Sequence, residues 1–237
     1  LAAAACFAGT PGRAALIGPA EADYAGGDVT SRLCRRRGLP TPAEAETLPA
    51  VHFPGFVGRA LAERLQAAAS VEGIPSIEAY AWRTTYLHAG GFFLDRFPEL
   101  HAKLRRAIVQ ADAAANWSLL RGRARRGLRF RTVELHEYGP GGSIKAGHYD
   151  AGSLVTIDVM LSQPGVDFAG GGLALPQRRG SPWVASLGHR GAVAFASHRR
   201  HHVQPVRAGV RATSRRVVLV AEMWDGPECA YPRVVRR

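Results

Sequence analysis

Two segments in the second half of the chain carry residues that could bind a metal ion. His148 and Asp150 are separated by one residue, and a cluster of histidines, His198, His201 and His202, follows about fifty residues later. On a β-strand, residues two apart project to the same face, because side chains alternate with a period of two. Two imidazoles and one carboxylate bind one triangular face of a six-coordinate Fe(II) and leave three positions open. We therefore predict a metal site formed by His148, Asp150 and one later histidine.

An arginine follows the histidine cluster at a distance that could complete such a site. Arg211 lies ten residues after His201, and its planar guanidinium can bind a carboxylate through two parallel hydrogen bonds. A metal with open positions and a carboxylate-binding arginine together favour an oxygenase that uses a 2-oxo acid as co-substrate. The alternative is an ordinary surface arginine, since Arg207, Arg215 and Arg216 lie nearby.

Six pieces of the sequence occur in an order and spacing that resemble a known family. They are Tyr-Gly-Pro-Gly-Gly at 138–142, His-Tyr-Asp at 148–150, the apolar run at 154–161, Phe-Ala-Gly-Gly-Gly-Leu at 168–173, the segment 191–197 and the segment 201–211. Together they resemble the 2-oxoglutarate/Fe(II)-dependent dioxygenases, specifically the prolyl 4-hydroxylase-like branch. The resemblance extends over about 134–224, which is less than half of the chain.

The resemblance implies a role for several residues. Similar enzymes have the pattern H-x-V-x-P-V-x-x-G-x-R. By this resemblance His201 is the second histidine ligand, and Arg211 binds the distal carboxylate of 2-oxoglutarate. Tyr138 is similar to a strand tyrosine whose hydroxyl lies near the co-substrate. Thr156 could offer the same carboxylate a further hydroxyl, and both residues could instead be core packing. Relatives use a tyrosine farther along that strand, where Met160 stands, so the second donor to the carboxylate is open.

The resemblance also implies an activity. It predicts Fe(II), 2-oxoglutarate and O2 as reactants, with ascorbate as a reductant of the iron, and release of succinate and CO2. The expected product is a hydroxylated C–H bond, most simply on a protein or peptide side chain such as peptidyl proline. Two alternatives stand beside this: an oxygenase of nucleic acids or small molecules, and a jelly-roll module that binds without catalysis.

The charge of the chain bears on the nucleic-acid alternative. The formal net charge is +12, and 31 residues are Lys or Arg, of which only Lys103 and Lys145 are lysines. Such an arginine excess in an Ala- and Gly-rich chain is typical of compositional bias, so we favour a solvated basic surface, including the run 121–131, over a nucleic-acid site. No apolar run approaches the roughly 18 residues that a membrane span requires.

The patterning predicts an α+β chain with a mainly β core. Apolar residues recur at three to four residues from Val57 and again after Pro98, which indicates amphipathic helices. After Arg129, short alternating strands separated by Gly/Pro turns favour a sandwich or barrel, and the resemblance selects a double-stranded β-helix (jelly roll). We predict a poorly ordered leader (1–50), a helical support (51–129), the Fe(II)/2-oxoglutarate dioxygenase core (130–226) and a basic tail (227–237).

Overall fold

The computed structural model describes residues 38–123, 127–177, 183–185, 187–210 and 214–226. Most of the predicted leader, part of the basic run 121–131, all of the predicted basic tail and Arg211 lie outside the described residues. The helices and strands named below all lie within these described residues.

Four α-helices lie before residue 130. They are α1 (Pro42–Ala45), α2 (Arg59–Ala67), α3 (Phe92–Arg96) and α4 (Pro98–Ala114). Helix α4 begins with Pro98 in its first turn, where the missing N–H has no intrahelical partner to lose. Its apolar residues Leu100, Leu104 and Ile108 are buried. The two helices that the periodicity predicted are therefore present.

Twelve strands are described, and they form three antiparallel sheets. The strands are β1 (Val51–Phe53), β2 (Ser76–Ala79), β3 (Trp82–Tyr86), β4 (Arg129–Tyr138), β5 (Val155–Met160), β6 (Phe168–Gly170), β7 (Leu173–Leu175), β8 (Trp183–Ala185), β9 (Ala192–Ala196), β10 (His202–Val203), β11 (Val206–Ala208) and β12 (Arg216–Trp224). The major sheet has seven strands in the order β1-β9-β5-β12-β4-β3-β2. The smaller sheets are β10-β7-β8 and β11-β6.

The major sheet separates two cores. Its outer face packs against the helices, and Val155, Ile157 and Val159 of β5 belong to the same cluster as Leu104 and Ile108 of α4. Its inner face packs against the smaller sheets in a second cluster, which contains Tyr138, Met160, Phe168, Leu173, Phe195, Val203, Val206 and Val218. The major sheet and the two smaller sheets pack over one interior, with helices on the outside, and form the predicted jelly roll. The predicted fold class is confirmed.

The region predicted as helical support also contributes strands. β1 pairs with β9, and the β2–β3 hairpin joins the sheet because β3 pairs with β4, with Trp82 opposite Tyr138. The hairpin lacks a continuous apolar face, so its strand character depends on pairing with β4 rather than on its own pattern. Among the described helices, none is both long enough and apolar enough to span a bilayer.

Candidate metal centre and co-substrate pocket

His148, Asp150 and His201 come together at one end of the interior. Nε2 of His148 lies 3.1 Å from Oδ1 of Asp150, and Nε2 of His201 lies 3.7 Å from the same oxygen. One nitrogen or oxygen from each of the three residues lies within 4.8 Å of the others. The imidazole rings are 4.9 Å apart and nearly perpendicular. Three donor atoms converging on one point is the arrangement that a two-histidine, one-carboxylate metal site requires.

The backbone brings these residues together in a way that the sequence pattern did not predict. His148 forms an isolated antiparallel bridge with His201, in which the amide of His201 donates to the carbonyl of His148 at 2.7 Å. Asp150 follows outside any strand, and its amide donates to the carbonyl of Ser197 at 2.9 Å. The prediction that His148 and Asp150 share a strand face is therefore wrong in its detail. A bridge and a turn, instead of strand alternation, align the two side chains.

Neighbouring groups hold both a ligand carboxylate and a ligand imidazole in position. The Thr156 hydroxyl donates to Oδ2 of Asp150 at 2.5 Å and lies 2.8 Å from the hydroxyl of Ser197. This contact leaves Oδ1 of Asp150 facing the two imidazoles. Nδ1 of His201 lies 3.0 Å from the carbonyl oxygen of Arg199, so this nitrogen donates and Nε2 keeps the lone pair that a metal needs.

The protonation states suit a cation. Burial alone would raise the pKa of Asp150. The charge interaction with His201 and the hydrogen bonds from His148 and Thr156 outweigh burial and hold the pKa of Asp150 well below its usual range. Burial is also the main cause that lowers the pKa of His201, so its imidazole is neutral near pH 7. An ionised carboxylate and a neutral imidazole are the forms that bind a metal ion. The donor set therefore fits a divalent cation such as Fe(II).

The other histidines of the cluster lie away from this point. His198 contacts the ring of Tyr149, and its Nδ1 lies 3.1 Å from the carbonyl oxygen of Pro40. His202 is in β10, where it pairs with Ala174, and only the next residue, Val203, belongs to the inner core. The histidine that the structure places beside Asp150 is thus His201.

Tyr138 and Thr156 both lie on the inner face, with different surroundings. Tyr138 ends β4 and is 1% exposed, with its hydroxyl 3.3 Å from Nδ1 of His136. Thr156 lies at the metal end, and its hydroxyl is engaged by Asp150 and Ser197. The structure thus gives the Thr156 hydroxyl a partner other than a co-substrate.

Arg216, a sequence neighbour of the predicted carboxylate ligand Arg211, is buried in the interior. Arg216 begins β12 and is 0% exposed. Its guanidinium lies 5.2 Å from the Tyr138 ring, and none of its three nitrogens has a hydrogen-bond partner among the described residues. An unpaired guanidinium in a buried site costs several kcal/mol, so such a group normally binds an anion.

The backbone opposite Arg216 leaves little room for any side chain. Gly171 has a φ of +61°, and a Cβ at this position would lie 3.0 Å from Cδ of Arg216 and from Cγ2 of Val206. Glycine is thus required both by the backbone conformation and by the close approach to Arg216. The turn at 170–172 thereby packs on the arginine and helps to fix its side chain.

Period-two alternation could have identified Arg216 as an inward-facing residue. It shares one face of β12 with Val218 and Val220, whereas Val217 and Leu219 belong to the outer core. The neighbouring arginines differ from it: Arg215 is exposed and pairs with Glu137, and Arg207 is exposed on β11. The predicted carboxylate ligand, Arg211, lies outside the described residues.

Comparison with known proteins supports the fold. No protein-family model and no curated protein sequence matches this chain. Solved structures do match. A prolyl-4-hydroxylase from Pseudomonas putida superposes with a TM-score of 0.54 at 20% identity, covering 75% of this chain and 93% of that one. A viral collagen prolyl hydroxylase from Paramecium Bursaria Chlorella virus-1, in complex with 2-oxoglutarate, gives 0.53 at 16% identity, covering 76% and 97%.

A third match extends farther along the chain. A 2OG-Fe(II) oxygenase family protein from Burkholderia pseudomallei superposes with a TM-score of 0.50 at 16% identity, covering 87% of this chain and 95% of that one. These identities are low, so the likeness concerns the fold. The chain has the double-stranded β-helix fold of the 2OG-Fe(II) oxygenases and prolyl hydroxylases, as its sequence motifs predicted.

Proposed function

We propose that this chain is a 2-oxoglutarate- and Fe(II)-dependent dioxygenase that hydroxylates a C–H bond. The observation that carries the proposal is the pairing of two sites in one interior. A two-histidine, one-carboxylate cluster lies at one end, and a buried arginine with no hydrogen-bond partner among the described residues lies along the same inner face. A metal site by itself would not need a guanidinium on that face. A 2-oxo dicarboxylate would use both sites.

In this proposal, His148, Asp150 and His201 hold the iron, and Arg216 binds the distal carboxylate of 2-oxoglutarate. Iron held by these residues would supply oxidative decarboxylation of 2-oxoglutarate by O2, to succinate and CO2, coupled with hydroxylation of the substrate. The hydrogen bonds of Thr156 and of the Arg199 carbonyl orient two of the ligands. Ascorbate would serve as the external reductant that keeps the iron ferrous.

The inner core supports the same assignment because it limits access of water. Met160, Phe195 and Val218 are almost fully buried in the inner core, on the same face of the major sheet as Thr156 and Arg216. An apolar lining strengthens the electrostatic attraction between the guanidinium and a carboxylate, since the local dielectric is low. It also keeps bulk water from a reactive centre.

For the prime substrate we propose a protein or peptide side chain such as a prolyl residue. Support comes from a prolyl hydroxylase of Trichoplax adhaerens, solved with a peptide fragment of hypoxia inducible factor, which superposes with a TM-score of 0.50 at 16% identity and covers 86% of this chain and 96% of that one. The assay is succinate formation with Fe(II), 2-oxoglutarate and a peptide panel that includes proline-rich sequences. If no succinate forms under any condition, and none forms slowly in the absence of a peptide substrate, the proposal is wrong.

A nucleic-acid substrate remains the second candidate because of the net charge of +12. Two of the four described arginines of the run 121–131 have local partners: Arg123 pairs with Asp225 at 2.7 Å, and Arg131 pairs with Glu222 at 3.3 Å. Arginines engaged within the protein have less capacity to bind phosphates. Salt-sensitive binding of DNA or RNA, with turnover on it, would favour this candidate over a peptide.

A further inference from the structure

Asp158 is a buried carboxylate that the proposed chemistry does not yet use. It lies on β5, two residues beyond Thr156 and two before Met160, and these three side chains face the interior. In register, Asp158 lies opposite Val220 of β12 and Val193 of β9. It is 5% exposed. Asp158 therefore lies between the metal cluster and the level of Arg216, inside the proposed co-substrate pocket.

Charged groups face Asp158 from several elements of the interior. Among these groups the guanidinium of Arg216 on β12 has the largest electrostatic effect on Asp158; the others are Asp150 and His148 from the metal cluster and His136 from β4. β9 presents the apolar Val193 and Phe195, and the smaller sheets present apolar side chains, including Phe168 and Leu173. No hydrogen bond joins Asp158 to Arg216, since the guanidinium nitrogens have no partner among the described residues.

The charge balance of the pocket depends on the state of Asp158. With Asp158 ionised, its charge cancels that of Arg216, and a further carboxylate would enter a neutral, desolvated site beside a like charge. With Asp158 protonated, the pocket keeps one positive charge, which matches one carboxylate. A protonated carboxyl group also gains an O–H that can donate. The protonated form is therefore the one that favours the distal carboxylate of a 2-oxo acid.

Other hydroxyl donors on the inner face are already engaged. The Thr156 hydroxyl donates to Asp150, and the Tyr138 hydroxyl lies 3.3 Å from Nδ1 of His136. Met160 has a thioether, which cannot donate. Among the described inner-face side chains beside Arg216, Asp158 is thus the remaining group that can supply a second hydrogen bond.

We propose that protonated Asp158 is the second donor to the co-substrate carboxylate bound by Arg216, so that binding of 2-oxoglutarate is linked to protonation of Asp158. The proposal rests on the function proposed above and adds a specificity-determining residue to the same pocket. Its electrostatic support is that burial, only partly opposed by Arg216, raises the pKa of Asp158 to about 7. Both forms are then accessible near neutral pH.

The test measures binding, not turnover. 2-Oxoglutarate is titrated calorimetrically into the full chain loaded with Mn(II), without O2, at several values between pH 6 and pH 8.5. Because only the protonated fraction binds, the Kd of wild type should rise about tenfold to thirtyfold across this range. Buffers of different ionisation enthalpy should report uptake of up to about one proton near pH 8.

Three variants distinguish the hydrogen bond that Asp158 donates from the effect of its ionisation on binding. Asp158→Asn keeps an N–H donor but cannot ionise, so its Kd should stay constant with pH, within about threefold of the wild-type value at pH 6. Asp158→Ala should also lose the pH dependence but bind about tenfold more weakly at pH 6, since one hydrogen bond to a charged group is lost. The control Asp95→Asn, an exposed aspartate on α3, should retain the wild-type dependence.

The outcomes distinguish the two proposals. A wild-type Kd that does not change with pH, or an Asp158→Asn variant that keeps the wild-type dependence, would overturn the role of Asp158 while leaving the dioxygenase intact. Failure of the Mn(II)-loaded wild type to bind 2-oxoglutarate at every pH would instead contradict the dioxygenase proposal, and the role of Asp158 with it. Should Asp158→Asn fail to fold, the comparison of Asp158→Ala with wild type over the same pH range decides, since a retained pH dependence in Asp158→Ala would overturn the role of Asp158.

Discussion

The two faces of the major sheet differ in what they bury. On β5, the outward side chains Val155, Ile157 and Val159 pack against helices, whereas the inward side chains at alternate positions are Thr156, Asp158 and Met160. All six residues are buried. The outer face thus gains stability from apolar contact, while the inner face keeps polar groups in a setting where they are costly. Such a contrast within one strand indicates that the inner face is adapted to bind ligands.

The same contrast holds along β12. Val217, Leu219, Ala221 and Met223 contribute to the outer core. Arg216 and Glu222 stand on the inner side with Val218 and Val220 between them, and burial raises the pKa of Glu222 to about 8. Substitutions on the two faces should therefore have different effects. Those on the outer face should destabilise the fold, whereas those on the inner face should abolish binding of the metal or of 2-oxoglutarate in a protein that still folds.

The largest effect is expected at the metal cluster. Asp150→Ala removes the only carboxylate of the triad and should lower Fe(II) or Mn(II) affinity by at least about a hundredfold and abolish turnover, with circular dichroism unchanged. His202→Ala is the matched control, since His202 lies outside the cluster and should leave metal binding intact. Loss of metal from His202→Ala with retention in His201→Ala would contradict the assignment of His201.

The next largest effect is expected at Arg216. Arg216→Ala should weaken 2-oxoglutarate binding by on the order of 2–5 kcal/mol, or roughly thirtyfold to several thousandfold in Kd, with metal affinity retained. Arg216→Lys should keep part of the affinity because the charge remains without the planar fork.

The neighbouring arginines provide the controls for Arg216. Arg215→Ala, which alters an exposed residue, should leave the Kd for 2-oxoglutarate unchanged. Arg211→Ala tests the assignment that the sequence motif favours. If Arg211→Ala abolishes binding and Arg216→Ala does not, the carboxylate ligand is Arg211.

On the outer face we expect a loss of stability without a loss of binding. Ile157 is fully buried against the helices, and Ile157→Ala should lower the free energy of unfolding by about 2–5 kcal/mol. Denaturant unfolding measures this change, and calorimetry on the folded fraction should give a Kd for 2-oxoglutarate within about twofold of wild type. A large change in Kd would show that the two faces are not independent.

The smallest effect is a pH dependence of stability in the metal-free protein. Asp158 binds its proton more tightly in the folded state, with a pKa of about 7, than in the unfolded state, where the pKa is near 4. The folded state therefore carries the extra proton between these values, and stability falls as pH rises from about 5 to 7. The decrease should be on the order of 2–3 kcal/mol.

Replacing the carboxyl group should remove its part of this decrease. Asp158→Asn should be more stable than wild type at pH 8 and differ less at pH 5, as measured by thermal unfolding. Ile157→Ala should show the wild-type slope at lower stability. Equal slopes for wild type and Asp158→Asn would mean that Asp158 is not a titrating group in the folded protein.

The sequence by itself predicted the candidate metal cluster and the class of fold. His148 and Asp150 were selected by residue type and spacing, and the resemblance to the family pattern, with Val203 and Pro205 in register, implied His201 as the third ligand. Alternation within β5 and β12 is likewise a local property, since neighbouring residues of a strand face opposite sides whatever the rest of the chain does. Strand alternation predicted a sandwich or barrel, and the resemblance to the 2-oxoglutarate/Fe(II)-dependent dioxygenases selected the jelly roll that the structure shows.

Only the tertiary structure distinguished Arg216 from the arginines around it. Residues 207–216 contain four arginines, and the environments of the three described ones depend on pairing with strands that are far away in sequence: Arg216 faces Tyr138, whereas Arg215 reaches Glu137 on the opposite side of the sheet. For the same reason the sequence did not predict strands β2 and β3, or the electrostatic influence of Arg216 on Asp158. The burial and the charged surroundings of a residue depend on the register between strands that are distant in sequence. The sequence of a strand indicates the alternation of its side chains, but not which strands will pack around it.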